Sequence, residues 1–232
     1  MTINRRHFLG ALAGTAASLA LPRHALRAQE AEPELPGGTF WGTVPVADAD
    51  APMVQGEPVA IARSGILPLI PRALAALDKH SAVIAVRDKI GIVDFSQPSR
   101  QARFHIVDLV GGTASTPLLV AHGKGSDPAN CGMAQHFSNL VDSEASSRGS
   151  YVTGEVYYGK HGRSRRLIGL DPDNDRALER GIVIHAASYV SPAVVAAQGR
   201  VGRSQGCFAV NPREITQVLE TLGPGRLLFA TS

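Results

Sequence analysis

The stretch Ser204-Gln205-Gly206-Cys207-Phe208-Ala209-Val210 holds the residues best suited to chemistry in this 232-residue chain. Ser-x-Gly ahead of a cysteine, with an apolar run behind it, reads as a tight turn entering a strand, and it presents the thiol at a sheet edge. A thiol attacks carbonyls only as the thiolate, so it needs a base within reach and surroundings that favour the charge. His185, which closes the apolar run Gly181-Ile182-Val183-Ile184, is the best-placed base. Gly206 leaves room for a substrate beside the sulfur, and the backbone N–H groups of Gly206 and Cys207 are candidates to face a developing oxyanion. This is the equipment of acyl transfer, provided the fold brings the two segments together.

Other chemistries fit less well. His122-Gly123-Lys124-Gly125-Ser126 is glycine-rich and carries a lysine, but a phosphate-binding loop needs Ser or Thr directly after Gly-Lys, and here Gly125 follows. The stretch reads as a loop lining a substrate cleft, with His122 and Lys124 as binding residues; for Lys124 a plain turn with a solvated charge is the alternative. Asp171-Pro172-Asp173-Asn174-Asp175 imitates a calcium loop, yet its sixth position is Arg176 and its twelfth Ile182, so that reading is rejected. There is no His-Glu-x-x-His and no Cys-x-x-Cys, and His122, His136, His161 and His185 have no metal-ligand spacing. Nothing calls for a cofactor. Cys131 is the only other cysteine; two free thiols are expected, and a Cys131–Cys207 disulfide, the alternative, would block the nucleophile.

The Ile-His185 and Ser204-Gln205-Gly206-Cys207 segments resemble the murein L,D-transpeptidase catalytic domain family (YkuD-like). The resemblance extends, in order, over Phe104-His105-Ile106-Val107-Asp108-Leu109, Ala121 to Ser126, Phe137-Ser138-Asn139, Gly159-Lys160-His161-Gly162 and Gly202 to Cys207, and so covers about residues 60–230. It implies an exported enzyme acting on peptidoglycan stem peptides. Cys207 would attack the carbonyl between a diamino acid's L-centre and D-alanine, His185 would move the proton, and Ser204 would steady the loop or the histidine. Arg203 would face donor carboxylates, with Gln205, His122 and Lys124 as further binding residues. An amine acceptor then gives a 3→3 cross-link and water gives an L,D-carboxypeptidase, while a wall-binding module that keeps the fold without catalysis is a third reading. Two positions depart from the wider family: Ala209 stands where arginine is usual, and Ala186 where glycine is frequent.

The elements that must position these residues are mostly strands. Leu67, Ile70, Leu74 and Leu77 repeat at helical spacing with Pro71 in the first turn, which predicts a core-facing helix. Ala82–Val86, Ile90–Phe95 and Arg103–Val110 read as three strands of a meander, with Pro117–Ala121, Tyr151–Tyr157 and Arg226–Ala230 as further strands. Between them, Phe137–Gly149 reads as loop with one helical turn. Arg163, Arg165 and Arg166 form a basic cluster, read as a solvated strand edge with carboxylate binding as the alternative. A short capped helix is expected from Asn174 or Asp175 through Glu179, another from Ser191-Pro192 to Gln198, and an amphipathic one after Asn211-Pro212-Arg213-Glu214. The fold class is therefore β-rich α+β: a mixed sheet or sandwich with a few peripheral helices.

Composition is that of a globular chain, 44% hydrophobic and 19% charged, with one domain after a leader. Asn4-Arg5-Arg6-His7-Phe8-Leu9 is a twin-arginine signature, followed by an apolar stretch and a small-residue site at Ala28, which predicts a signal peptide over residues 1–28 and export to the periplasm or beyond. Losing its four arginines takes the formal charge from +3 to −1, so the basic precursor gives no reason to expect nucleic acid as a partner. No stable membrane span is expected after cleavage. Residues 29–58 read as an extended arm, with Phe40-Trp41 pinning it to the domain or binding glycan, and residues 59–232 as the catalytic domain.

Overall fold

Short segments rich in β-branched, aromatic and other apolar residues, bounded by Gly, Pro and polar turns, recur along this chain, and strands are what they form. The structure is a computed structural model that describes residues 57–61 and 65–232, all within the unit Pro52–Ser232. The leader, almost all of the arm, and Phe40-Trp41 lie outside the described residues. The strands are β1 (Val59–Ala60), β2 (Lys89–Asp94), β3 (Phe104–Asp108), β4 (Thr113–Ala114), β5 (Gly149–Gly159), β6 (Gly162–Gly169), β7 (Val183–Ala186), β8 (Phe208–Val210) and β9 (Leu227–Thr231). They form one sheet in the order β1-β4-β3-β2-β9-β5-β6-β7-β8. The pairs β2/β9 and β7/β8 are parallel and the others antiparallel, which makes the sheet mixed.

The sheet curls on itself. Residues 118–120 bridge Phe104 on β3 through Leu118 and Val210 on β8 through Val120, so they span the gap between two otherwise distant strands. The inner face carries Val93, Phe104, Tyr151, Leu167, Ile184, Phe208 and Leu228, and helix α3 (Ile215–Thr221) closes it with Ile215, Val218 and Leu219. The opposite face of β2 and β9, with Ile90, Ile92 and Leu227, is covered by helix α1 (Ile70–Lys79). Helix α2 (Pro192–Gln198) lies between β7 and β8; Ser191 Oγ accepts the Val194 N–H at its start, and Gly199 ends it at φ 71°.

Several local expectations are corrected. The first helix begins at Ile70 after a 3-10 turn over Leu67–Leu69, so Ala73, Ala76 and Leu77 form its buried face, while Leu67 and Leu74 point outward at 52% and 37% exposure. Ala82–Val86 is an irregular segment: Ile84 is buried, and the Val86 N–H bonds to the Gly225 carbonyl outside any ladder. Pro117–Ala121 makes isolated bridges rather than a strand. No helical turn forms within 137–149. Residues 174–179 are turns, because the Asn174 side chain is committed elsewhere: its Oδ1 accepts from Asp171 N–H and its Nδ2 donates to the Ser150 carbonyl. That side chain locks the segment to β5 instead of capping a helix.

Candidate active site

Strand β7 delivers His185, and β8 opens directly after Cys207. The two strands run parallel with His185 opposite Ala209 and Ile184 opposite Phe208. Ile184 and Phe208 point to the core, and Cys207 stands at the start of the same strand pair, immediately before β8 and partly packed against that core. The packing of α2 and the return through Gly202 make this register possible between segments far apart in sequence; Gly202 N–H is bonded to the Tyr189 carbonyl.

His185 is 1% exposed. Its Nδ1 lies 2.9 Å from the Ala186 carbonyl. A carbonyl only accepts, so Nδ1 carries the proton and Nε2 keeps its lone pair. Burial holds the ring's pKa down at about 4, with His161 and Lys160 adding to the effect and the Ala186 carbonyl opposing it. His185 is therefore a neutral imidazole at neutral pH. Burial also pushes the Cys207 thiol up, and the Val183 N–H, Arg180 and Lys160 offset this only in part. The thiol points at the Gly181 carbonyl, with Sγ 3.6 Å from the oxygen. At neutral pH the two groups are thus a neutral thiol and a neutral imidazole. Both cysteines are free, Cys131 exposed and Cys207 half-buried.

The turn ahead of Cys207 is closed by Ser204. Its Oγ donates to the Cys207 carbonyl at 2.7 Å and accepts the Gly206 N–H at 3.1 Å. The amide of Gly206 is thereby used within the turn, which corrects its expected place as a free oxyanion donor. What requires glycine there is the backbone: φ is 111°, and a Cβ would come within 2.7 Å of the Ala145 carbonyl and 3.2 Å of Arg180 Nη2.

The loop after His122 supports this turn from behind. Gly123 pairs with Ser204, the Lys124 N–H bonds to the Ser204 carbonyl, and the Ser204 N–H bonds to the His122 carbonyl. Ser146 Oγ joins both, accepting from Gly123 N–H at 3.0 Å and donating to the Gly206 carbonyl at 3.3 Å. A side chain at Gly123 would strike the Glu144 carbonyl and the Gly206 backbone, so the glycines of this loop serve close packing of three backbone segments rather than anion binding.

His122 itself has no exposed surface. Its Nδ1 accepts from Arg103 Nη2 at 2.7 Å, and Nε2 faces Asp127 Oδ2 at 3.4 Å. Burial, with Arg103 adding to it, sets its pKa at about 4, although Asp127 pulls the other way. The Arg103 guanidinium, also fully buried, reaches the Val120 and Gln97 carbonyls, and burial lowers it to about 9. Arg203 donates to the Asp127 carbonyl. His122 and Arg203 thus tie the turn to the domain; neither ring nitrogen of His122 is open to a substrate. Lys124 pairs with Glu144 at 2.7 Å on the surface, and Gln205 Nε2 reaches the same carboxylate at 3.3 Å. Gln205 and Glu144 line a cleft of about 250 Å³ with Val141, Asp142, Glu179 and Arg180.

Two residues not singled out for the site belong to it. His161, in the turn between β5 and β6, stacks on His185 with ring centroids 4.1 Å apart and planes 21° from parallel. Arg180 donates to the Ser138 and Ala145 carbonyls, which fixes the 138–147 segment beside Gly206. The signal for the first was the Gly-Lys-His-Gly turn at a hairpin tip, and for the second an Arg-Gly pair at the start of the base's own strand segment. Among the described residues no group of three or more His, Cys, Asp or Glu side chains is arranged to hold a metal.

Residues 67–231 match the family model described as the L,D-transpeptidase catalytic domain, and the chain belongs to that family of enzymes. No curated protein matches it. Among solved structures it is similar to an L,D-transpeptidase from Mycobacterium smegmatis, at 13% identity over 62% of this chain and 59% of that one, with a TM-score of 0.39. Others are from Xylanimonas cellulosilytica (14% identity, 69% and 70% covered, TM-score 0.39) and Stackebrandtia nassauensis (15%, 64% and 57%, TM-score 0.38). The matched region spans about three fifths of the M. smegmatis chain. The family assignment rests on the match over 67–231.

Proposed function

We propose that this protein is an exported peptidoglycan L,D-transpeptidase that uses Cys207 as nucleophile and His185 as general base. The observation that carries the reading is the His185 ring: Nδ1 is committed to the Ala186 carbonyl, and Nε2 is the remaining basic atom on β7, the strand that pairs with β8 directly after Cys207. His185 Nε2 takes the thiol proton as sulfur attacks the carbonyl joining the diamino acid's L-centre to D-alanine. The imidazolium then protonates the leaving amine, D-alanine departs, and a thioester remains on Cys207. An amine from a second stem attacks the thioester, giving its proton to Nε2, and the thiol is restored with a 3→3 cross-link formed.

Negative charge arriving at sulfur is favoured by Arg180 and Lys160, both of which lower the thiol's pKa against burial. Binding of the donor displaces the thiol from the Gly181 carbonyl, a partner that favours the protonated form. The twin-arginine leader supports export, and among the described residues no helix is long and apolar enough to cross a membrane.

The test is incubation of the mature protein with purified disaccharide-tetrapeptide, with products separated by chromatography. Release of D-alanine with a cross-linked dimer, both lost in Cys207→Ala, is the expected result. Release of D-alanine without dimer makes the enzyme an L,D-carboxypeptidase, and absence of turnover under reducing conditions makes the domain a wall-binding module.

A further inference from the structure

We infer that His161 is a positioning residue for the base His185, acting through the stack of their two rings; this rests on the assignment of His185 made above. Strands β5 and β6 form a long hairpin closed between Gly159 and Gly162, and its two-residue tip, Lys160-His161, folds back over β7. The tip is exposed, whereas His185 beneath it is 1% exposed, so the outer imidazole forms part of the cover over the inner one.

A base that works through one nitrogen needs three things fixed: the tautomer, the ring plane and the access of water. The Ala186 carbonyl fixes the tautomer through Nδ1. A single in-plane hydrogen bond leaves the ring free to rock about that bond. The His161 ring, 4.1 Å away and nearly parallel, blocks one face and removes that freedom, and a stack on the face leaves the Nε2 edge clear. It also gives the imidazolium formed in the reaction an aromatic face to rest on, which a neutral ring supplies and a second cation would not.

The charged and titratable groups around His185 are Lys160 and His161 on the hairpin tip and Cys207 ahead of β8. Ser164, opposite His185 by register on β6, is neutral. His161 is the one among them whose flat ring meets the flat ring of the base. The hairpin carries a register shift between Thr153 and Val156, which adds twist to the arm that delivers the tip.

The experiment measures iodoacetamide alkylation of Cys207 across pH in the absence of substrate, and separately D-alanine release from disaccharide-tetrapeptide, for the wild type, His185→Ala, His161→Ala, His161→Phe and the double alanine variant. Thermal melts run alongside. His161→Ala is expected to slow alkylation and kcat by roughly tenfold, a part of the 10²–10⁴-fold that a general base supplies. KM and the melting temperature should stay near wild type, because the side chain is exposed on a turn. His161→Phe, which keeps a flat ring and removes the ring nitrogens, should restore most of the rate. The double variant should be no slower than His185→Ala alone, since one residue acts through the other.

Wild-type alkylation rates in His161→Ala, or no rescue by phenylalanine, would overturn the inference while leaving the base assignment standing. Wild-type rates in His185→Ala would instead remove the assignment on which it rests.

Discussion

His122 and His185 are both at or below 1% exposure, both are held near a pKa of about 4 chiefly by burial, and both lie near a cation, yet only one of them keeps a nitrogen for chemistry. Arg103 and Asp127 occupy both edges of the His122 ring. His185 is pinned at Nδ1 by a backbone carbonyl and stacked on His161, which leaves Nε2 uncommitted. A depressed histidine pKa in a buried site thus marks a base only when the partner inventory leaves a lone pair over. His122 shows the other use of a buried imidazole, as a joint that passes the position of the Arg103–Asp127 network to the backbone of Ser204.

Replacing each histidine should separate the two uses. His185→Ala should lower turnover and Cys207 alkylation by roughly 10²–10⁴-fold, the usual contribution of a general base, with little loss of stability. His122→Ala leaves Arg103 and Asp127 buried without their shared partner and should cost about 3 kcal/mol in urea unfolding, with the surviving folded molecules active within a few-fold. If His122→Ala were stable and inactive, the contrast would collapse and His122 would belong to the chemistry.

Acid titration sharpens the same comparison. Each histidine has a folded pKa near 4 against an ordinary value of 6.5. Between those values the unfolded chain binds more protons than the folded one, so stability rises with pH. Stability is therefore complete above pH 6.5, falls as pH drops toward 4, and loses on the order of 3 kcal/mol per histidine across the window. Urea midpoints measured from pH 7 to 4 should show a shallower slope in His185→Gln than in wild type. An unchanged slope would mean that His185 titrates alike in both states.

The smallest effect is expected on the surface. Lys124 and Glu144 are 48% and 36% exposed, and an ion pair so placed contributes well under about 1 kcal/mol. Lys124→Ala should leave the melting temperature within a degree or two of wild type, and KM for the tetrapeptide then reports whether the lysine touches substrate.

Much of the site could be read from residue order. Ser-x-Gly ahead of Cys207 gave the turn, and Ser191-Pro192 gave the capped helix that carries the chain from β7 back toward it. The β-rich mixed sheet was also legible, because the segments that become β2, β3, β5 and β9 are rich in β-branched, aromatic and other apolar residues. What residue order could not supply was how the partners are shared out. His122 reads as a cleft residue until Arg103, nineteen positions upstream, is seen on its ring. The Gly206 N–H reads as an oxyanion donor until Ser204 Oγ is found accepting it. Asn174 reads as a helix cap, but its amide is used by Ser150 and Asp171 across the sheet. The His161 stack joins a hairpin tip to a separate strand, a pairing that single-sequence pattern does not encode.

The most direct test is intact-mass detection of the thioester after brief mixing of the mature protein with disaccharide-tetrapeptide and acid quench. The expected result is an adduct equal to the tetrapeptide substrate minus D-alanine, mapped to Cys207, absent in Cys207→Ala, formed far more slowly in His185→Ala, and formed at near-normal rate by folded His122→Ala. An adduct that forms equally fast without His185, or maps to Cys131, would contradict the assignment of nucleophile and base.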